Sequence, residues 1–306
     1  MHILQVLAPS MMLIALGAGL AWIRFLGKPF IVELNKLAFW IALPSLIFRA
    51  AAHAGSPTAA TLVLIGAVAA PTVLAALLGW LAAGVTRIPV SARSTFVASS
   101  FFGNLAYIGI PILAHSLGRI ALGDAPELLA TSVIVMTAMT VINNALAVAV
   151  FQGGKFDALS LARRVLVNPL VIAGCLGILY GMSGLAVPPA PDQVLQSLGA
   201  TAVPLALLCI GGSLEMTSLR GHISWIAGVS VLKVLAFPLI AWAITRALAL
   251  NPADTRVVLI FCACPTAVVA YTMASQMGGD EPLAAGAIAA STVASFASLA
   301  VVLAIT

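Results

Sequence analysis

The sequence predicts an all-α membrane protein with ten transmembrane helices, and two properties of the chain point to this fold class. Of its 306 residues, 62% are hydrophobic and 8% are charged, and the mean hydropathy is +1.16. About a quarter of the residues in a soluble domain are charged, so this chain has more apolar surface than a water-soluble core can bury. The apolar residues also form long continuous runs, and because lipid does not tolerate open sheet edges, we expect helices.

A transmembrane helix needs about 20 predominantly apolar residues, and ten segments of the chain meet this requirement. The first segment could also be read as a signal peptide, but it lacks a basic region before its apolar run, so we interpret it as a span. The predicted spans are residues 3–23, 34–52, 59–83, 94–116, 128–151, 164–183, 194–214, 222–245, 256–277 and 283–305.

Basic residues between the predicted spans indicate which side of the membrane each loop occupies. With the N-terminus outside, nine basic residues fall on the cytoplasmic side and four fall outside, so both termini are predicted to lie outside the cytoplasmic membrane. The net charge of +5 is then explained by topology, and no nucleic-acid partner is expected. The cytoplasmic set is Arg24, Lys28, Lys36, Arg87, Arg93, Lys155, Arg163, Arg164 and Arg220, and the outer set is Arg49, Arg119, Arg246 and Arg256.

The two halves of the chain show a faint internal repeat. Pro44 in the second span corresponds to Pro204 in the seventh, and Arg93 before the fourth span corresponds to Arg256 before the ninth. Each half has five spans, and because this number is odd, the second copy crosses the membrane in the opposite orientation. Inverted repeats of this kind are an architecture of secondary transporters. The predicted parts are a first five-helix repeat at 1–151, a cytoplasmic connecting loop at 152–163 and a second, inverted repeat at 164–306.

The fourth span contains helix-weakening residues and an amide, in the stretch FFGNLAYIGIPIL at 101–113. In the repeat, Gly103 and Asn104 correspond to Pro265 and Thr266 of the ninth span. We expect Gly103 to permit unusual torsions and Pro265 to remove a backbone donor, so that both helices are interrupted and cross near the midplane. The amide and the half-helix ends would then favour an anion. Ordinary kinks are the alternative, because Gly and Pro are common in membrane helices.

Polar side chains lie deep in two other spans. Lys233 is about half-way along the eighth span, where a charge costs at least ~2.5–3.5 kcal/mol and by default marks function. We interpret it as a positive charge that neutralises an anionic substrate or stabilises the crossing helices; the alternatives are snorkelling or pairing with Glu215. Asn143 and Asn144 in the fifth span either join helices or face the site.

The sequence contains no pattern typical of a metal site or of catalysis. No Asp or Glu lies deep in a span, which argues against a cation exchanger, and no motif of an intramembrane protease or a serine hydrolase occurs. We therefore expect neither an enzyme nor a cofactor nor a metal. The cysteines lie in apolar segments and are interpreted as buried thiols: Cys175, Cys209, Cys262 and Cys264.

Four motifs follow one another along the chain: GNLAYIGIPIL after an Arg-Ser start, NPL at Asn168, LKVLAFP around Lys233, and CPTAVVAYTMASQMGGD. With these motifs the whole chain resembles the auxin efflux carrier family, as a bacterial-type member related to the plant PIN carriers. The resemblance implies a ten-helix, two-repeat fold in which a transport domain moves against a scaffold domain. It also implies that spans four and nine cross and that a homodimer forms through the scaffold.

The resemblance also implies roles for individual residues. In the plant relatives, an Asn directly after the first crossover binds the substrate carboxylate, and Asn104 matches it. Pro265 matches the second crossover Pro, the backbone around Val268 matches the pocket lining, and Asn144 matches a polar position on the fifth span. The plant carriers have Pro at the position of Gly103. Their fifth-span residue is aromatic where this chain has Asn144, so auxin itself is not expected, and the resemblance to bacterial relatives implies small carboxylates such as malonate or malate.

Together these features predict a secondary transporter of small organic anions, either mono- or dicarboxylates, that works by alternating access. One alternative is a sodium-coupled organic-anion symporter of the bile-acid type, which absolute dependence on sodium would favour. Another is a non-transporting membrane sensor or assembly subunit, which robust transport by the purified chain would exclude. The candidate substrate-binding residues are Asn104, Gly103, Pro265, Thr266, Val268, Asn144 and Lys233.

Overall fold

The structure is a computed structural model that describes residues 2–53, 57–116, 127–152, 167–212 and 223–306. Most of the described residues are helical, and they form fourteen α-helices, some of them continued by a π-helical turn. In chain order these are α1 His2–Trp22, α2 Lys28–Leu37, α3 Leu43–His53, α4 Ala59–Val85, α5 Val90–Phe101, α6 Ile110–Ser116, α7 Glu127–Phe151, α8 Pro169–Met182, α9 Pro189–Gly212, α10 Ile223–Val231, α11 Phe237–Ala247, α12 Pro252–Ala263, α13 Val268–Met277 and α14 Glu281–Ile305.

Six helical stretches of the described chain are long and apolar enough to cross a membrane, in agreement with the predicted fold class. Helices also occupy the other four predicted segments, but within the described residues these are shorter or interrupted, so the number ten stays a prediction. The six stretches are Pro29–His53, Ala59–Val85, Leu128–Phe151, Pro189–Gly212, Ile223–Ala247 and Glu281–Ile305.

Three π-helical turns share one sequence feature, a proline two residues after the turn. The turns are Ala38–Ala42, Leu105–Gly109 and Leu232–Ala236, and the prolines are Pro44, Pro111 and Pro238. A proline ring clashes with the carbonyl four residues earlier, and a wider turn relieves this clash. Pro71 and Pro204 lie within regular helices, so a proline alone does not force the wide turn.

One compact unit of the structure consists of Met1–Val63, Ala106–Thr140 and Arg164–Leu214. Within it, α3 packs against α8 and α9, and α1 packs against α9. The α1–α9 contact depends on glycine, since a Cβ at Gly211 would lie 1.9 Å from the carbonyl oxygen of Ile14. Small residues of this kind let membrane helices approach each other closely.

The same unit contains an ion pair between α3 and α9. Arg49 Nε donates to Asp192 Oδ1 at 2.8 Å, and Arg49 Nη2 donates to Asp192 Oδ2 at 3.0 Å. His53 Nε2 lies 3.7 Å from the same Oδ1 atom. Because a two-pronged guanidinium–carboxylate contact fixes direction as well as distance, this pair holds the end of α3 to the start of α9.

The other compact unit consists of Leu64–Leu105, Val141–Arg163 and Glu215–Thr306. Within it, α14 packs against α5, α10, α12 and α13. The GGD sequence that follows α13 ends this helix, because Gly278 has the left-handed φ of 71° that glycine adopts without steric cost.

Both compact units take segments from both halves of the sequence, so they do not coincide with the predicted repeats 1–151 and 164–306. The repeats concern symmetry along the chain and stay a prediction. Residues 153–163, which make up most of the predicted connecting loop, lie outside the described residues. Several side chains used in the topology prediction, and the proposed partner of Lys233, also lie outside them: Arg119, Lys155, Arg163, Arg164, Arg220 and Glu215.

The cysteines correct one expectation. Cys209, Cys262 and Cys264 are buried, as predicted, whereas Cys175 on α8 is exposed. The interpretation of all four as buried thiols was therefore wrong at Cys175. In a membrane protein both the core-facing and the lipid-facing positions are apolar, so an apolar segment does not tell the two apart.

Candidate binding site at the interrupted helices

Two of the predicted spans are interrupted, as the sequence indicated. In the fourth span α5 ends at Phe101 and the next π-helical turn begins at Leu105; in the ninth span α12 ends at Ala263 and α13 begins at Val268. The interruptions of these spans are therefore confirmed, and ordinary kinks in continuous helices do not describe them.

Proline explains the interruption in the ninth span. A residue that precedes proline is disfavoured in the helical region, and Cys264, directly before Pro265, is extended at φ −58° and ψ 142°. Ala267 is extended too, at φ −74° and ψ 145°, and α13 starts after it. The fourth span breaks at Phe102, which has φ −68° and ψ 99°.

The two interruptions pair with each other through a short antiparallel β-bridge between Gly103 and Thr266. The hydrogen bonds, both 2.9 Å long, run from Asn104 N–H to Pro265 O and from Ala267 N–H to Phe102 O. Non-helical backbone at membrane depth is tolerated only where it is buried in protein or lines a cavity. Here the backbone groups freed from one helix bond to those freed from the other.

Thr266 links the bridge to two neighbouring helices of the same unit. Its N–H donates to Ser291 Oγ on α14 at 3.0 Å, and its Oγ1 donates to the carbonyl oxygen of Ser99 on α5 at 2.8 Å. Ser99 is in the last turn of α5, where carbonyls have no partner within the helix. The Thr266 hydroxyl therefore supplies a donor for a carbonyl at the end of α5, and the Ser291 hydroxyl supplies an acceptor for the Thr266 N–H.

Lys233 lies against the end of α12 and is completely buried. Its Nζ donates to the carbonyl oxygen of Cys262 at 3.3 Å and lies 4.0 Å from the centre of the Phe237 ring. A positive charge is favoured by the carbonyl end of a helix and by the face of an aromatic ring. The buried position excludes snorkelling, and the proposed partner Glu215 is outside the described residues.

Gly103 does not have the left-handed torsion that glycine readily permits. Among the described glycines, positive φ angles occur at Gly184 and Gly278, so the expected unusual torsion at Gly103 was wrong. A Cβ at Gly103 would lie 3.4 Å from Lys233 Nζ and 3.5 Å from the carbonyl oxygen of Phe261. The nearest atom, Leu105 Cδ2 at 3.2 Å, belongs to a flexible side chain, and the other two distances are ordinary contacts. Gly103 therefore lies next to the ammonium group but is not required there for space.

The remaining candidate residues lie in the same compact unit. Asn104 is buried and directly precedes the π-helical turn, and Asn144 is buried on α7. Asn143, next to it, is also buried, and its Oδ1 has no hydrogen-bond partner within the described residues. Val268 is 45% exposed at the start of α13. The β-bridge and its hydrogen bonds join four of the seven candidates, Gly103, Asn104, Pro265 and Thr266. Lys233 bonds to Cys262 next to them, and the roles of all seven in binding stay predictions.

The prediction missed two residues that complete the arrangement. Neither Ser291 nor the Phe237 ring that lies against Lys233 was among the candidate residues. A serine in an apolar helix is the only signal at Ser291, and Phe237 lies four residues after Lys233, a spacing that puts two side chains on one helix face. That spacing could have predicted the contact between the ammonium and the ring.

Comparison with known proteins finds membrane transporters. A family model described as "Membrane transport protein" matches residues 1–152 and 157–303. An "Uncharacterized transporter" of Methanothermobacter thermautotrophicus is 26% identical over 290 residues, 94% of this chain and 93% of that protein. A "Putative malonate transporter" of Rhizobium meliloti is 22% identical over 274 residues, 87% of this chain and 84% of that protein.

Proposed function

We propose that this chain, which belongs to the membrane transport protein family of auxin efflux carriers, is a secondary transporter of small organic anions. The family and the names of the relatives indicate a membrane transporter and not an enzyme. The name of the Rhizobium meliloti protein refers to malonate, and it supports mono- or dicarboxylates such as malonate or malate as the substrate class.

The paired interruption carries the proposal. Two helices that break and bond to each other within the membrane provide free half-helix ends, which is where transporters of this kind hold substrates and ions. Asn104 takes part in this pairing through its backbone N–H, so the group proposed to bind the anion is its side-chain amide, and the first backbone amides of α13 follow the pairing directly. Lys233 adds a positive charge beside Gly103. Amide donors and a nearby cation together suit a carboxylate.

The transport step that we propose is alternating access. The unit that contains the interruptions would act as the transport domain and carry the bound anion across a barrier, and the other unit would act as the scaffold. We also propose the finer architecture: ten spans in two inverted repeats, both termini outside, the cytoplasmic membrane of a bacterial-type carrier, and a homodimer through the scaffold.

Uptake of labelled malonate and malate into proteoliposomes tests the proposal. Asn104→Ala should lower the initial rate by about tenfold or more, because a lost hydrogen bond to a charged group is worth about 1.5–3 kcal/mol. Thr72→Val is the matched control: Thr72 is buried in the same unit, but its hydroxyl donates only to Val68 O of its own helix. This control should transport at the wild-type rate.

Three outcomes would contradict the proposal. Wild-type transport by Asn104→Ala would remove this residue from the substrate site. Absolute sodium dependence would favour a symporter of the bile-acid type. Failure of the purified, folded chain to transport any of a panel of carboxylates would favour a sensor or an assembly subunit.

A further inference from the structure

In the last turn of α12, as at any helix end, the carbonyl oxygens have no hydrogen-bond partner within the helix, and here the chain does not continue as a helix. In an α-helix each N–H bonds to the carbonyl four residues earlier, which would pair Pro265 with Phe261 and Thr266 with Cys262. Pro265 has no N–H, and the N–H of Thr266 donates to Ser291 instead. The carbonyl oxygens of Phe261 and Cys262 are therefore available to another partner, deep within the protein.

Lys233 is that partner. Its ammonium donates to Cys262 O at 3.3 Å, and Gly103 places backbone next to both the ammonium and Phe261 O. Within the described part of the chain, the contacts of Nζ are a carbonyl and the Phe237 ring, and no carboxylate is at ion-pair distance. The cation is thus held by neutral oxygen and aromatic groups at the negative end of a helix.

An alkali-metal ion also binds to neutral carbonyl oxygens of this kind. Hard monovalent and divalent cations bind oxygen ligands, and in transporters with interrupted helices the carbonyl ends of the half-helices coordinate the coupling cation. At the end of α12 a side-chain ammonium occupies this position instead. Its charge is the same as that of a sodium or potassium ion, but it is attached to α10 and α11 through the π-helical turn Leu232–Ala236.

We propose that Lys233 is a tethered cation that takes the place of a bound alkali-metal ion at the end of α12. The interrupted helices are then stabilised without sodium, and removing the side chain opens a site for a small monovalent cation, lined by Phe261 O and Cys262 O. The consequence for transport, which is independence of sodium, rests on the proposed function. The cation site itself does not, since it is a property of the folded chain.

The melting temperature of the purified protein in detergent tests the site. Wild type, Lys233→Ala, Lys233→Met and the exposed control Lys36→Ala are each measured in chloride salts of sodium, potassium, methylammonium and choline at one ionic strength. We expect wild type and Lys36→Ala to melt at the same temperature in all four salts. Lys233→Ala should melt lower in choline, and sodium, potassium or methylammonium should raise its melting temperature with a saturable concentration dependence.

Lys233→Met separates a specific site from a general salt effect. Its side chain fills the space without a charge, so its melting temperature should not respond to the cation. The proposal is overturned if Lys233→Ala fails to respond, if Lys233→Met responds equally, or if wild type is stabilised by sodium over choline. If Lys233→Ala does not fold, wild type decides alone: stabilisation by sodium overturns the proposal, and equal melting in sodium and choline supports it.

The two proposals can fail separately. A folded wild type that transports no carboxylate contradicts the proposed function, while a cation response of Lys233→Ala in the same preparation still supports the tethered cation. Conversely, stabilisation of wild type by sodium over choline overturns the tethered cation, while carboxylate uptake without sodium by the same preparation still supports the proposed function.

Discussion

Thr266 shows how much a single residue contributes at the interruption. Its backbone pairs with Gly103, its N–H bonds to Ser291, and its hydroxyl bonds to the Ser99 carbonyl. The side chain is completely buried, so no water can replace a lost partner. Buried polar groups that lose a partner cost more than a made hydrogen bond contributes.

The first prediction concerns the Thr266 hydroxyl. Thr266→Val keeps the shape of the side chain but leaves Ser99 O without its donor, so we expect a loss of stability of about 1–3 kcal/mol. Thermal unfolding in detergent measures it. Thr292→Val is the control, because the Thr292 hydroxyl is also buried but donates to Ile288 O in its own helix. Equal melting temperatures of the two variants would show that the bond to α5 contributes nothing.

At the scale of helices, short local motifs determine where a helix starts. Two helices start with the same Asn-Pro pair: Asn168 Oδ1 accepts from Leu170 N–H at 2.9 Å, and Asn251 Oδ1 accepts from Asp254 N–H at 2.8 Å. Asn is a good N-cap, and the proline that follows stands where its missing N–H costs nothing. The NPL motif therefore marks the start of α8 for reasons of helix chemistry.

Contacts between helices depend on residues far apart in the chain, and the ion pair of α3 and α9 yields the second prediction. Asp192→Asn keeps the shape but removes the carboxylate to which the buried Arg49 side chain donates two hydrogen bonds. We expect a loss of about 1–3 kcal/mol of stability, measured by thermal unfolding.

Glu33→Gln is the control for this ion pair. The Glu33 side chain is 67% exposed and pairs with Lys36 on the same helix, and surface pairs of this kind contribute about 0–1 kcal/mol. A melting temperature of Asp192→Asn equal to that of the control would mean that the α3–α9 pair is no stronger than a surface contact.

For the whole molecule, the third prediction concerns orientation. The excess of basic residues in the loops assigned to the cytoplasm predicts that the chain ends outside. A reporter fused after Thr306 tests this: alkaline phosphatase, which is active only outside the cytoplasm, should be active, and green fluorescent protein, which fluoresces only inside, should be dark. The reverse pattern would place both termini in the cytoplasm and invert every loop assignment.

The sequence by itself determined the class of protein and the places where helices break. Composition requires a membrane, because so few charged residues cannot cover a soluble fold. Pro265 and the extended residue before it interrupt the ninth span through sterics and a missing N–H, which act between consecutive residues. Lys233 was identified by its charge alone, since no other residue in its span explains a cation at that depth.

Only the tertiary structure decided what these residues contact. The Thr266 hydroxyl bonds to the carbonyl oxygen of Ser99, which is 167 residues away in the chain, and neither residue type predicts this contact. Gly103 lies beside Lys233 and has no left-handed torsion, and Cys175 is exposed although its segment is as apolar as those of the buried cysteines. The physical reason is that lipid and the protein core are both apolar, so the periodicity of a membrane helix does not indicate which of its faces packs against protein. Close approach of helices and hydrogen bonds between backbone groups determine the packed face instead.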